Sequence, residues 1–226
     1  MNLERLKHGV VVSCQARVDH PLNDPHILTR MALAAEMGGA AAIRADHPDN
    51  IRLIKERVKI PVIGIYKVPT TIKGRYFITP TFDHAKRIVE AGADIVAIEA
   101  TSQFQPSNKM LEQLIRSIHS QLGVPVMADI STVEEGERAW GMGADFVATT
   151  LSGYTEESNN RPKPDFPLIK SLVERGIRSV CEGHIRTPED TKRAFEQGAH
   201  FVVIGTAITD PVSITSWHVH LGRSEG

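Results

Sequence analysis

Four stretches of the chain carry one pattern: a glycine, a small residue and then an apolar run. They are "EMGGAAAIR" (36–44), "EAGADIVAI" (90–98), "GMGADFVAT" (141–149) and "EQGAHFVVI" (196–204). A glycine closing a helix can take the left-handed conformation that other residues avoid. An apolar run without polar alternation reads as a strand buried on both faces. Three further runs, "VKIPVIGIYK" (58–67), "LGVPVMADI" (122–130) and "RGIRSVCEG" (175–183), join the opening run "HGVVVSCQ" (8–15). Together they predict eight strands starting near 9, 40, 61, 94, 124, 145, 178 and 201.

Amphipathic stretches precede most of these strands. "DPHILTRMALAAEMG" (24–38) puts Ile27, Leu28, Met31, Ala35 and Met37 on or near one side. "TPEDTKRAFEQG" (187–198) opens on Thr187 with Pro188 at the first helical position. "STVEEGERAWGMG" (131–143) opens on Ser131 or Thr132, with acidic residues where the helix dipole favours them. Strand–helix alternation demands parallel strands and right-handed crossovers. Eight units are the count of an α/β protein of the (β/α)8 TIM barrel class, here one domain over residues 1–226. The rival, an open doubly wound sheet, would carry a glycine-rich GxGxxG turn, and the chain has none. Two connections after strands are long, 68–80 and 151–165. The second is polar and proline-rich, as suits a lid or a tolerated surface insertion.

In a barrel the C-terminal strand ends converge on one mouth, where catalytic groups belong. Gln15, Arg44, Lys67, Glu99 and Asp129 finish the first five strands. Thr149 and Thr150 finish the sixth, Glu182 the seventh, and Gly205 with Thr206 the eighth. One polar strand end is an ordinary surface feature. Seven together predict a polar site with two cations and three carboxylates. "CEGHIRTPED" and "IGTAITDP" each put a glycine just after a strand and open a helix soon after. Backbone N–H groups there can hold a phosphate, so Gly183, Gly205 and Thr206 are the candidate phosphate residues. Lys67 ends an apolar strand, where an ammonium is costly to desolvate. In a partly dry mouth its pKa can fall, which would fit it to remove an acidic proton or to form a Schiff base; flanking carboxylates oppose the drop and Arg44 favours it, so the sequence leaves its charge open.

Composition narrows the rest. Net charge is −1, with no basic patch, which excludes a nucleic-acid partner as the default. No apolar run is long enough to cross a bilayer. The first residues lack the pattern of a signal peptide, and the two cysteines form no spacing motif, so a cytoplasmic protein is expected. Cys14 and Cys181 read as small core residues rather than nucleophiles. HExxH, CxxC and GxxxxGK[ST] are absent, and no metal site is expected.

The motifs "VSCQ", "MALAAEMGGAAAIRA", "PVIGIYK", "ITPT", "MADIST", "TTLSGYT", "CEGHIRTPE" and "GTAIT" occur in this order along nearly the whole chain. Together they resemble the N-acetylmannosamine-6-phosphate 2-epimerase family. The resemblance implies a (β/α)8 barrel in sialic acid catabolism. It implies an isomerase that interconverts N-acetylmannosamine 6-phosphate and N-acetylglucosamine 6-phosphate without a cofactor, commonly as a homodimer. It implies Lys67 as the acid/base at C2, with Glu182 and Asp129 assisting. Gln15 and Arg44 would hold the sugar and its acetamido group, joined by Glu99 and Thr150. Gly183, Gly205 and Thr206 would hold the phosphate. The chain departs from the pattern in three places: Val68-Pro69 stands for Arg-Asp, Glu99 for Asp, and Asp210 for the arginine after "AIT". A Schiff-base lyase or synthase and a non-catalytic phosphosugar-binding protein remain the alternatives.

Overall fold

The computed structural model describes residues 3–70, 75–105, 107–161 and 163–223. Strands β1 (Val10–Cys14), β2 (Ala42–Asp46) and β3 (Val62–Ile65) come first. A small antiparallel pair follows, β4 (Lys67–Pro69) and β5 (Tyr76–Ile78). Then come β6 (Ile95–Glu99), β7 (Val126–Asp129), β8 (Phe146–Ala148), β9 (Ser179–Glu182) and β10 (Phe201–Ile204). Eight parallel strands close into a barrel in the order β1-β10-β9-β8-β7-β6-β3-β2. Val10 pairs with Val202 on one side of β1, and Val11 with Ala42 on the other. All eight barrel strands start within about two residues of the positions that the apolar runs predict.

The runs are continuous because both faces are buried. Val11, Ile63, Ile95, Met127, Phe146 and Phe201 fill the barrel interior. Their neighbours Val12, Val62, Val96, Ala128 and Val147 point outward, into the layer shared with the helices. Period-2 alternation therefore survives as two apolar layers instead of one apolar and one polar face.

The helices start where the sequence marks them. Asp24 caps α1 (Pro25–Met37), accepting hydrogen bonds from the N–H groups of His26 and Ile27. The next two helices are α2 (Pro48–Lys55) and α3 (Phe82–Glu90), followed by α4 (Asn108–Ser117). Thr132, rather than Ser131, caps α5 (Val133–Gly141), in a reciprocal pair with Glu135. After α6 (Phe166–Glu174), Thr187 and Asp190 do the same for α7 (Pro188–Glu196). The repeat glycines Gly39, Gly92, Gly143 and Gly198 all have φ between 88° and 107°. Met37 corrects the amphipathic reading of α1. It is 89% exposed, while Leu28, Thr29 and Ala32 form the buried stripe. It lies in the last turn, beyond the edge of the barrel.

Gly64 explains the gap in "PVIGIYK". A Cβ there would lie 2.6 Å from Ala93 Cβ and 3.2–3.3 Å from the Cδ1 atoms of Ile51 and Ile88. The missing side chain lets α2 and α3 press directly against β3. Gly64→Ala should therefore destabilise the protein by about 1–3 kcal/mol through overpacking, read by urea unfolding. An unchanged midpoint would mean that the helices can move aside.

Candidate active site

The polar residues of the mouth continue the interior register of each strand. Arg44 follows Ala42 inside β2 and is 1% exposed. It forms the centre of the site. Its Nη1 donates to Asp129 Oδ1 at 3.1 Å and to Glu182 Oε2 at 2.5 Å. Its Nη2 donates to Asp129 Oδ2 at 2.5 Å. One guanidinium thus ties β2 to β7 and β9 across the mouth. Burial works against the charge, but Asp129 and Glu182 outweigh it and hold Arg44 protonated. Burial also pushes the Glu182 carboxyl up to about 7; Arg44 opposes the rise and Asp129 adds to it.

Lys67 stands two residues beyond the end of β3 and opens the β4–β5 hairpin, so it does not end the barrel strand as the sequence suggests. Its position is fixed by backbone bonds on both sides. Tyr66 N–H donates to Thr79 Oγ1 at 2.9 Å, Thr79 N–H donates to Tyr66 O at 2.8 Å, and Lys67 N–H donates to Asp46 Oδ1 at 3.0 Å. Burial lowers the Lys67 pKa below its ordinary 10.5; Asp46 resists the drop and Arg44 adds to it. Lysine and Glu182 are thus drawn toward neutrality from opposite sides, the condition for a proton donor and acceptor in one site. Asp46 is absent from the sequence-based candidates because Arg44 is taken there as the end of β2. The strand runs two residues further, and the period-2 register puts Asp46 on Arg44's face.

The other candidates also line the mouth, a cavity of about 930 Å³. Gln15 lies just past β1, and its Nε2 donates to Ser13 Oγ at 2.8 Å. Glu99 accepts from Thr101 Oγ1 at 2.9 Å and faces Arg75 at 3.6 Å. Thr150, two residues past β8, donates to Asp129 Oδ1 at 2.7 Å. Thr149 instead braces β9, donating to Glu182 O and accepting from Glu182 N–H. Gly183, just past β9, and Gly205 with Thr206, just past β10, line the end of the cavity formed by the loops after those strands. Gly183 needs its glycine, with φ at 102°. Asp210 lines that end too, yet both its oxygens are engaged. Oδ1 accepts from His20 Nε2 at 3.1 Å and from Ser213 N–H at 3.1 Å. Oδ2 accepts from Ser213 Oγ at 2.7 Å. Burial would raise its pKa, but Ser213 and His20 hold it below the usual 3.8.

The described part of 151–165 is tied down. Thr155 Oγ1 donates to Ser131 Oγ, and Ser152 Oγ to Asp165 Oδ2. At its tip Tyr154 stacks on His184 with ring centroids 5.0 Å apart. Lys73 and Pro162, in the two long connections, lie outside the described residues. Cys14 and Cys181 are buried free thiols on the outer faces of β1 and β9, both pushed up to about 12 by burial. They are packing residues.

A barrel mouth with a part-desolvated lysine beside a carboxyl raised toward neutrality defines a barrel enzyme equipped for proton transfer. The model of the family described as "Putative N-acetylmannosamine-6-phosphate epimerase" matches residues 28–223. A relative of Caldanaerobacter subterraneus subsp. tengcongensis, named "Putative N-acetylmannosamine-6-phosphate 2-epimerase", is 46% identical over 94% of this chain and 90% of its own. A Cutibacterium acnes protein of the same name is 44% identical over 92% of this chain and 91% of its own. The solved structure of the N-acetylmannosamine-6-phosphate 2-epimerase from Clostridium perfringens matches at a TM-score of 0.89 and 40% identity, over 96% of this chain and 95% of that one. A thiamine phosphate pyrophosphorylase from Pyrococcus furiosus, at a TM-score of 0.61 and 15% identity over 95% and 93%, shares the fold alone. The chain belongs to the N-acetylmannosamine-6-phosphate 2-epimerase family.

Two outcomes follow from the ion cluster. Arg44→Met leaves two carboxylates in the mouth without their cation and should cost on the order of 3–5 kcal/mol, measured by urea unfolding at pH 7. Glu182 binds its proton more tightly folded than unfolded. Its contribution is therefore complete below its ordinary 4.5 and lost as the pH rises through about 7. Across that window the stability of wild type should fall relative to Glu182→Gln. A constant difference between the two proteins would refute the raised carboxyl.

Proposed function

We propose that the protein interconverts N-acetylmannosamine 6-phosphate and N-acetylglucosamine 6-phosphate by removing and returning the proton at C2, within one barrel domain over residues 1–226. The observation that carries the reading is the Lys67 amine, lowered by burial and facing the Arg44–Asp129–Glu182 cluster. Membership of the family supplies the substrate. In the open-chain sugar, C2 lies next to the aldehyde, so its hydrogen is acidic. Lys67 takes that proton, the C–H electrons form the C1–C2 double bond, and negative charge moves to the C1 oxygen. Return of a proton to the other face gives the second epimer. No oxidation state changes, so the reaction asks for no redox cofactor.

Glu182, its carboxyl raised by burial, exchanges protons with the intermediate, and Asp129 with Arg44 positions it. Gln15, Arg44, Glu99 and Thr150 contact the sugar and its acetamido group, with donors able to meet the oxyanion. Gly183, Gly205 and Thr206 take the phosphate. The reading includes a homodimer, which rests on the family and is tested by sedimentation. It also includes a cytoplasmic location, supported by two free buried thiols.

The test is NMR of N-acetylmannosamine 6-phosphate in D2O. Wild type should exchange the C2 proton for deuterium while the second epimer grows. Lys67→Ala should lose at least about a hundredfold in rate, the lower range for a positioned acid/base. Borohydride should trap no sugar on Lys67. Trapping would establish an imine route in place of direct proton transfer. Epimerisation that survives Lys67→Ala would remove lysine from the chemistry.

A further inference from the structure

The phosphate end of the cavity is short of positive charge. Helix α8 (Thr206–Thr209) is a single turn, so the dipole support expected after β10 is small. The N-terminus of α7 is already occupied by its own side chains. Arg186 N–H and Thr187 N–H both donate to Asp190 Oδ2, at 3.0 and 3.1 Å, and Asp190 N–H donates to Thr187 Oγ1. Asp210 adds a carboxylate to the same end and serves as the cap of α9 (Pro211–Arg223), accepting from Ser213 N–H. Leu22 N–H donates to His20 Nδ1, which leaves Nε2 to donate toward Asp210.

The cations around the cavity are mostly committed. Arg44 is held by Asp129 and Glu182, Arg75 faces Glu99, and Arg17 faces Asp19 at 3.5 Å. Arg186 differs. Among the described residues its guanidinium meets no carboxylate, and it lies over the Trp217 ring, 4.7 Å from the centroid. Arg186 and Trp217 line the cavity together with Gly183, Gly205 and Thr206. The contact over the indole braces this exposed side chain and leaves N–H groups available to an anion.

We infer that Arg186, braced by Trp217, is the specificity-determining residue that binds the phosphate monoester of the substrate in this chain. The inference deepens the reading above and rests on it for the identity of the substrate. Arg186 supplies the charge that the capped α7, the one-turn α8 and Asp210 do not. We take the contact to be equally strong in the ground and transition states, so that its loss raises KM and leaves kcat.

Steady-state kinetics of Arg186→Ala, Arg186→Lys and Trp217→Leu with N-acetylmannosamine 6-phosphate tests this. Arg186→Ala should raise KM on the order of tenfold and leave kcat within about twofold. Inorganic phosphate, used as a competitive inhibitor, should lose affinity by the same factor. Arg186→Lys should fall between, and Trp217→Leu should raise KM in the same direction. Melting temperatures of all the variants separate this from a general loss of structure. Unchanged KM and unchanged phosphate inhibition in Arg186→Ala would overturn the inference. If wild type does not turn over this substrate, the functional reading fails separately. Calorimetric titration with inorganic phosphate then decides on Arg186: weaker binding to Arg186→Ala supports it, and equal or absent binding to both proteins overturns it.

Discussion

The Arg44 guanidinium, clamped between Asp129 and Glu182, is the interaction on which the active mouth depends. Removing three charges from water is costly, and the arrangement holds only because each meets its opposite at hydrogen-bond distance. The geometry is demanding. Arg44 stands three strands from β7 in one direction round the barrel and three from β9 in the other. Closure with the right stagger is what lets one side chain reach both. The same cluster sets the electrostatic conditions for Lys67, since Arg44, Glu182 and Asp129 all act on its amine. Fold closure and the protonation of the lysine are therefore one problem.

That coupling explains what could be read from the sequence. Strand count and order were legible because double burial gives unbroken apolar runs, and because repeat glycines mark helix ends by a conformation that few other residues tolerate. The mouth residues were legible as types, since a charged group ending an apolar run needs a reason. Their partners were not. Nothing local to Arg44 says that it bonds residues 85 and 138 positions away. Asp46 was hidden for a smaller reason: one strand ran two residues longer than its apolar content, and only the period-2 register shows which face its end joins. The β4–β5 hairpin was hidden too, because three-residue strands carry no periodicity.

The hairpin resolves the oddity of "PVIGIYK". Ile63 and Ile65 belong to the barrel interior, and Tyr66 leaves it to pack among the helices. Lys67 returns to the interior register after the barrel ladder has ended, where its backbone N–H is taken by Asp46 rather than by a neighbouring strand. Its ammonium is thus at the rim of the dry interior and not inside it. A lysine one layer deeper would be neutral and out of reach of substrate. One further out would keep its full hydration and its ordinary proton affinity.

The two ends of the cavity solve opposite electrostatic problems. Around Lys67, three cations meet four carboxylates: Arg44, Lys67 and Arg75 with Asp46, Glu99, Asp129 and Glu182. Asp46, Glu182 and Asp129 moderate the drop that burial imposes on Lys67. At the other end, Asp210 is a negative charge whose lone pairs are turned toward Ser213 and His20. A carboxylate used as a helix cap still contributes its field. The loop after β9 carries Gly183, His184, Ile185 and Arg186, and the arginine is the member that reaches an aromatic brace on the last helix. Among the described residues, the Arg186–Trp217 pair shares no hydrogen bond with Arg44, Asp46, Asp129 or Glu182, the groups that act on the Lys67 amine.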